Sequence, residues 1–258
     1  MDPYVRADAL VRTTLSLADA ALRVSYVVDV ARTWETETFA RALDVVCERA
    51  EQAEASSREA LVAVVDALNT ESLRETVQRL REQAVGDSLL ALERLVRFAF
   101  RPARVRESVR PESSFDSGQG RALTLGERKA LARRPDRETM ERLLADPHPD
   151  VIRHLLHNAR ITEDDVVRLA AKRPGRGEVL AEIARSTKWS HRPRIRMAVV
   201  MNPATPPEIA ARIAGLLLRP ELDIVAHSPG VPASIRAVCL EHLQRRPPSV
   251  GHEGGGVH

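Results

Sequence analysis

Apolar side chains recur at three- and four-residue intervals along most of this chain, the spacing that gathers them on one face of an α-helix. Leu10, Leu17, Ala21, Val24 and Val28 keep it through 4–31, and Phe39, Leu43, Val46 and Cys47 through 37–54. Ser56 with Glu59 and Ser72 with Glu75 have capping-box spacing, opening runs through Leu61, Val64 and Leu68 and through Val77, Leu80 and Ala84. Asp87 then starts Leu89, Leu92, Val96 and Phe100. Sustained apolar/polar alternation is missing, as are Asn-Gly and Asp-Gly hairpin turns. The pattern predicts an all-α protein whose residues 1–100 form a helical bundle or pair with another chain.

Residues 101–124 lose the period and hold Pro102, Pro111, Gly118 and Gly120, the composition of a linker. From Leu125 a different regularity takes over. ARRPDRETMERLLAD (132–146) aligns without a gap on AKRPGRGEVLAEIAR (171–185), and DVIRHLLHN (150–158) on RIRMAVVMN (194–202). The second match is displaced by the five extra residues STKWS (186–190), and MNPATPPEIAARIAGLL (201–217) recurs in part as HSPGVPASIRAVCLEHL (227–243). Duplicated helical units predict a stacked array over 125–244, each unit burying its apolar face against its neighbours. Leu143, Leu144, Leu155, Leu156, Ile183, Val199, Val200 and Ile213 are its expected core. Asp136 and Asp150 are positioned as helix caps, Thr162–Asp165 and Thr205–Glu208 as capping boxes, and Asn158 and Asn202 as left-handed helix stops. Residues 245–258 cannot pack a core and read as a disordered tail.

Composition changes this picture in three ways. With 3% aromatic residues, Ala, Val and Leu must build the core, which suits thin helical layers. The net charge of +3 divides unevenly: 1–100 holds 12 basic and 17 acidic residues, and the remainder is basic. An acidic bundle beside a basic array can attract an anionic partner or each other. Cys47 and Cys239 are too few for a disulfide framework or a thiolate metal site and read as small core residues. Neither a secretory signal nor a bilayer-spanning run is present, which leads to an expected cytoplasmic location.

Asp146-Pro147 followed by Val151-Ile152-Arg153 and Asn158, and above all Asn202-Pro203-Ala204-Thr205-Pro206-Pro207-Glu208-Ile209, resemble the leucine-rich repeat variant family, a HEAT-like helical repeat. The resemblance covers about 125–243 and implies a right-handed superhelix of alternating longer and shorter helices. The family's best-known form carries a cysteine-ligated iron–sulfur module before its repeats. This chain has no such cysteines, so no cofactor carries over.

Candidate chemistry is sparse. A phosphate loop, nucleophile elbow and paired-carboxylate signature are all missing, so a non-enzymatic protein is expected. His148, His154 and His157 are near one another, but Ala198 and Met201 stand at the equivalent positions of the next unit, so no metal site is expected. Trp189, Arg192, Arg194 and Arg196, in or just after the inserted STKWS, together with Arg153, form the expected partner-binding surface. Arg133, Arg134 and Arg137, matched by Lys172, Arg173 and Arg176, form an expected basic ridge, explained by helix dipoles or by phosphate contact. The resulting expectation is a protein–protein adaptor or scaffold. A nucleic-acid-binding array is the alternative, and homodimerisation through the N-terminal helices is a further expectation.

Overall fold

In the structure, a computed structural model, residues 2–98, 123–146 and 148–246 are described. Most of the expected linker and tail, with Phe100 and Pro147, lies outside them. The described residues are all helical in their regular structure and contain no strand. None of their helices is long and apolar enough to cross a membrane.

The N-terminal helices are α1 (Pro3–Ser16), α2 (Ala20–Thr33), α3 (Thr36–Glu51), α4 (Ala55–Leu68), α5 (Arg74–Gly86, after a 3-10 turn at Glu71–Leu73) and α6 (Leu90–Val96). The run read through 4–31 is broken, because the Asp19 carboxylate accepts from the amides of Ala21 and Leu22 at 2.8 and 3.1 Å and starts α2 there. Leu17 therefore leaves the helix, and Val27 and Val30 join Val24 in the core. α3 lies centrally against α1, α4, α5 and α6, burying Phe39, Leu43, Val46 and Cys47 as the pattern predicts. Three expected caps fall elsewhere. α4 starts at Ala55, ahead of Ser56, and α5 at Arg74, beyond Ser72. Asp87 ends α5, while the start of α6 is capped from α3, where Asp44 accepts from Ala91 and Leu92, both at 2.9 Å. A carboxylate on a neighbouring helix satisfies the same orphan donors as a local one.

Then follow α7 (Leu125–Arg133), α8 (Arg137–Leu143), α9 (Pro149–Leu156), α10 (Glu163–Ala171), α11 (Gly177–Arg185), α12 (Pro193–Val200), α13 (Pro207–Ala214), α14 (Arg219–Ala226) and α15 (Ala233–Arg245). α9 and α12 begin and end in register with the second sequence match. Capping boxes Thr124–Glu127 and Thr162–Asp165 open α7 and α10, and Asp136 caps α8. α9 is capped by His148, whose Nδ1 accepts from the Asp150 amide, so Asp150 is not the cap. Thr205 does not cap α13 either. Its hydroxyl donates to the Val199 carbonyl at 2.5 Å. The expected core residues are buried apart from Leu144, which is half-buried.

Asn158 and Asn202 work differently from the expectation. Neither has a positive φ; among described non-glycine residues only Ala53 and Ser88 do. Each instead reaches back to the end of an earlier helix: Asn158 donates to the Arg133 carbonyl at 2.9 Å, and Asn202 to those of Ala170 and Lys172 at 2.7 and 3.0 Å. Their own oxygens accept from Arg160 and Ala204. The two asparagines thus tie the end of one short helix to the end of another. Ser228 stands at the third such position, and its hydroxyl bonds within its own turn, to the Ile224 carbonyl.

The bundle and the later helices have separate apolar clusters, each packing residues of the other side: Leu216 joins the bundle's cluster, and Phe98 packs on the other. α6 lies against α13. This docking covers one face of the bundle, while Tyr4, Val5, Leu22 and Val85 of the N-terminal helices stay exposed. The tail boundary also moves, because Arg245 ends α15 and Arg246 is buried, donating to the carbonyls of Gly215 and Leu217.

Because Asn202 is chosen for its amide and not for a left-handed backbone, Asn202→Gly should be no milder than Asn202→Ala. Each should cost about 1–3 kcal/mol in urea unfolding by leaving buried carbonyls unpaired. A Gly variant as stable as wild type would restore the conformational explanation.

Candidate interaction surfaces

The inserted segment folds into a tight turn, with the amides of Trp189 and Ser190 both bonding to the Ser186 carbonyl at 2.8 Å. This turn does not present Trp189 to a partner. The indole is 4% exposed, sits in the apolar cluster and donates to the Leu156 carbonyl at 2.9 Å. Lys188 covers it, 4.6 Å from the ring centroid, while donating to the Asn158 carbonyl. Trp189 is therefore a plug between units and not an exposed anchor. Its large apolar area is stabilising only where it is shielded, and its single donor has found the carbonyl it needs there.

Next to it, Ser190 donates to Asp66 on α4 at 2.7 Å, so the insertion is also a joint with the bundle. Arg196 is half-buried, where burial lowers its pKa and Glu221 of α14 and Asp66 of α4 partly offset that. It lies between the bundle and α14 in its charge environment. Arg194 pairs with Asp164 at 2.8 Å and Arg192 approaches Glu163 at 3.9 Å, both in the acidic first turn of α10. Arg153 is bidentate to Glu182 at 2.7 and 2.9 Å. The five residues expected to form one patch are thus divided among a plug, the bundle seam and separate ion pairs.

The expected ridge is also divided. Arg137 is bidentate to Asp165 at 2.9 and 2.8 Å, which raises the guanidinium's pKa and holds the carboxyl well below the usual range. Arg173 donates to the Met201 carbonyl at the end of α12. Arg133, Arg134, Lys172 and Arg176 remain exposed, with no side-chain ion pair among the described residues. Arg133, Arg134 and Lys172 lie at the C-terminal ends of α7 and α10, where cations oppose the negative end of the helix dipole, whereas Arg176 stands at the start of α11. The histidines are occupied: His148 caps α9, and His157 bonds to the Arg153 carbonyl. His154 is lowered by burial and by the nearby Arg133 and Lys129. Among the described residues no His/Cys/Asp/Glu group could hold a metal ion.

A second constellation, which sequence reasoning missed, is the seam between the bundle and the later helices. Buried Arg212 on α13 donates to the Leu68 carbonyl at 3.2 Å and to the Asn69 side chain at 3.0 Å, and Arg185 donates to the Asn69 carbonyl at 2.9 Å. Two cations therefore close the C-terminal end of α4. Arg212's pKa falls to about 10 because it is buried and because Arg185 is close. Farther along, Arg94 grips Glu51 through two bonds, His242 of α15 faces the same carboxylate at 3.5 Å, and Arg97 is bidentate to Glu241. Burial alone would raise Glu51; His242 and Arg94 together hold it below its ordinary value. Buried Asn69 Nδ2, Arg196 Nε, Arg212 Nε and Arg246 Nε make no hydrogen bond in this region. The available signal was a charged residue on an apolar stripe: Asp66 within VVDAL and Arg212 within AARIA.

Burial pushes the Asp66 carboxyl up to about 7, against the opposing effects of Ser190 and Arg196. A carboxyl raised on folding contributes stability that is complete below its unfolded pKa near 4 and is lost as pH rises through 7. Asp66→Asn keeps the shape and an acceptor for Ser190 without the charge. Its melting temperature relative to wild type should climb steadily from pH 4 to pH 7 and level off above that, exceeding wild type by several degrees at pH 8. The difference between the two proteins cancels other titrating groups, His242 among them. A constant difference across that range would contradict the seam geometry.

Comparison with protein-family models, with curated proteins and with solved structures finds no match to this chain.

Proposed function

We propose that this chain is a non-catalytic protein–protein interaction adaptor that works in the cytoplasm. Its later helices are read as a short right-handed solenoid of leucine-rich-repeat-variant type, on which the N-terminal bundle rests. The observation that carries this reading is the seam. There, arginines of α11 and α13 bind a protein surface, the C-terminal end of α4, through its carbonyls and the Asn69 side chain. The chemistry these helices already use on their own bundle is protein recognition. Arg133, Arg134, Lys172 and Arg176 are cations of the same kind left facing outwards, and an acidic protein surface is their natural complement.

Those four cations also favour a second reading, a polyanion held through its phosphates. The aromatic residues argue against it. Trp189 is the plug, and Trp34 packs edge-to-face on Phe39 beneath Arg6, so neither tryptophan offers a ring for stacking on bases.

Affinity capture with the full chain, with and without nuclease, separates the two readings. The protein reading predicts partners that survive nuclease and are lost with Arg133→Glu plus Arg134→Glu. Capture that vanishes with nuclease, together with duplex-DNA binding that falls by orders of magnitude between low and moderate salt, would establish the phosphate reading instead.

A further inference from the structure

Leu144 is the one expected core residue that stays half-buried, and it lines a cleft between α8 and α10. The open part of this cleft holds about 260 Å³, floored by Leu144, Ala145 and Leu169. It continues into a narrower end, where Val179 and Leu180 add apolar wall and the connection from α10 to α11 closes the side. That connection is fixed in place. A side chain at Gly175 would meet the Asn202 amide at 2.7 Å, so the loop sits hard against the asparagine that ties α12 to α10. The cleft wall is therefore built by the same contact that joins the two units.

Charge at the rim is one-sided in what it leaves free. Each carboxylate there is already engaged: Glu141 with Arg137, Asp165 with Arg137 and Arg168, and Asp146 with Arg128. Lys172 lines both parts of the cleft and Arg176 the narrow end, and neither has an ion pair among the described residues. An apolar floor flanked by two uncommitted cations is complementary to a chain with an apolar side chain set between carboxylates.

We propose that this cleft is a docking site for an extended acidic segment of a partner protein, a leucine-sized side chain resting on Leu144 and Leu169 and flanking carboxylates meeting Lys172 and Arg176. The assignment rests on the adaptor reading and narrows it to one site and one ligand chemistry. A long apolar ligand would leave the cations unmatched, and a bare phosphate would leave the floor exposed to water. The combination selects a segment with both characters.

The test is fluorescence anisotropy on the full chain with three labelled nine-residue peptides. One has acidic residues around a central leucine, the second replaces the leucine with serine, and the third replaces the acids with lysines. The first should bind roughly tenfold or more tighter than the other two. Lys172→Glu with Arg176→Glu should abolish its binding, and the milder Lys172→Gln with Arg176→Gln should weaken it with an unchanged thermal melt. Equal affinities for the leucine and serine peptides, binding untouched by the Lys172/Arg176 variants, or no binding at all would each overturn the site. Binding that persists in those variants but disappears with Arg133→Glu plus Arg134→Glu would overturn the cleft and leave the adaptor reading standing. Displacement of the peptide by random duplex DNA at equal concentration, together with nuclease-sensitive capture, would remove both.

Discussion

Short helices leave carbonyls without partners, and most of this structure follows from how those carbonyls are satisfied. Helices α6 to α14 are seven to nine residues long, so about half of each helix's carbonyls have no intrahelical donor. Long side chains from elsewhere supply the donors. Asn158 and Asn202 reach the ends of α7 and α10, Trp189 the end of α9, Arg173 the end of α12, and Arg185 and Arg212 the end of α4 with Asn69. Arg246 and Arg219 do the same around α13 and α15. An arginine has five donors and no acceptor, which suits it to ends rich in carbonyls. Its abundance in the later helices is thus structural before it is functional.

This explains what was legible in the sequence. Helical periodicity gave the class and the core of α3, α4 and α9, because burial on one face is a local property read at fixed spacing. The duplication was legible because the two copies share both apolar positions and helix-end residues. Caps were legible where donor and acceptor are neighbours in the chain, as at Asp136 and Thr162, and misplaced where the acceptor comes from another helix, as with Asp44 on α6.

The interaction residues were harder to read, for the same reason. Trp189 and Arg196 attracted attention as an aromatic and a cation beside an insertion, but Trp189 bonds to the Leu156 carbonyl, over 30 residues away in the chain, and Arg196 is half-buried near the carboxylates of Glu221 and Asp66. The insertion looked dispensable to a regular array. It is used because the later helices also hold the bundle, and Ser190 meets Asp66 there. Residue type alone did not separate a cation spent on a carbonyl from one left for a partner. The structure shows which ridge cations are engaged: Arg137 and Arg173 are bonded, while Arg133, Arg134, Lys172 and Arg176 are exposed with no side-chain ion pair among the described residues.

The seam puts this account at its greatest risk, since Arg212 is a buried cation and removing a buried charge can stabilise a protein. Arg212→Met keeps most of the stem's volume and removes every donor. If closing the end of α4 is what holds the bundle and the later helices together, urea unfolding should show the variant less stable by about 1–3 kcal/mol. The bundle should also separate as its own transition. A variant as stable as wild type or more so, unfolding in one step, would show that carbonyl capping by arginine does not organise this fold.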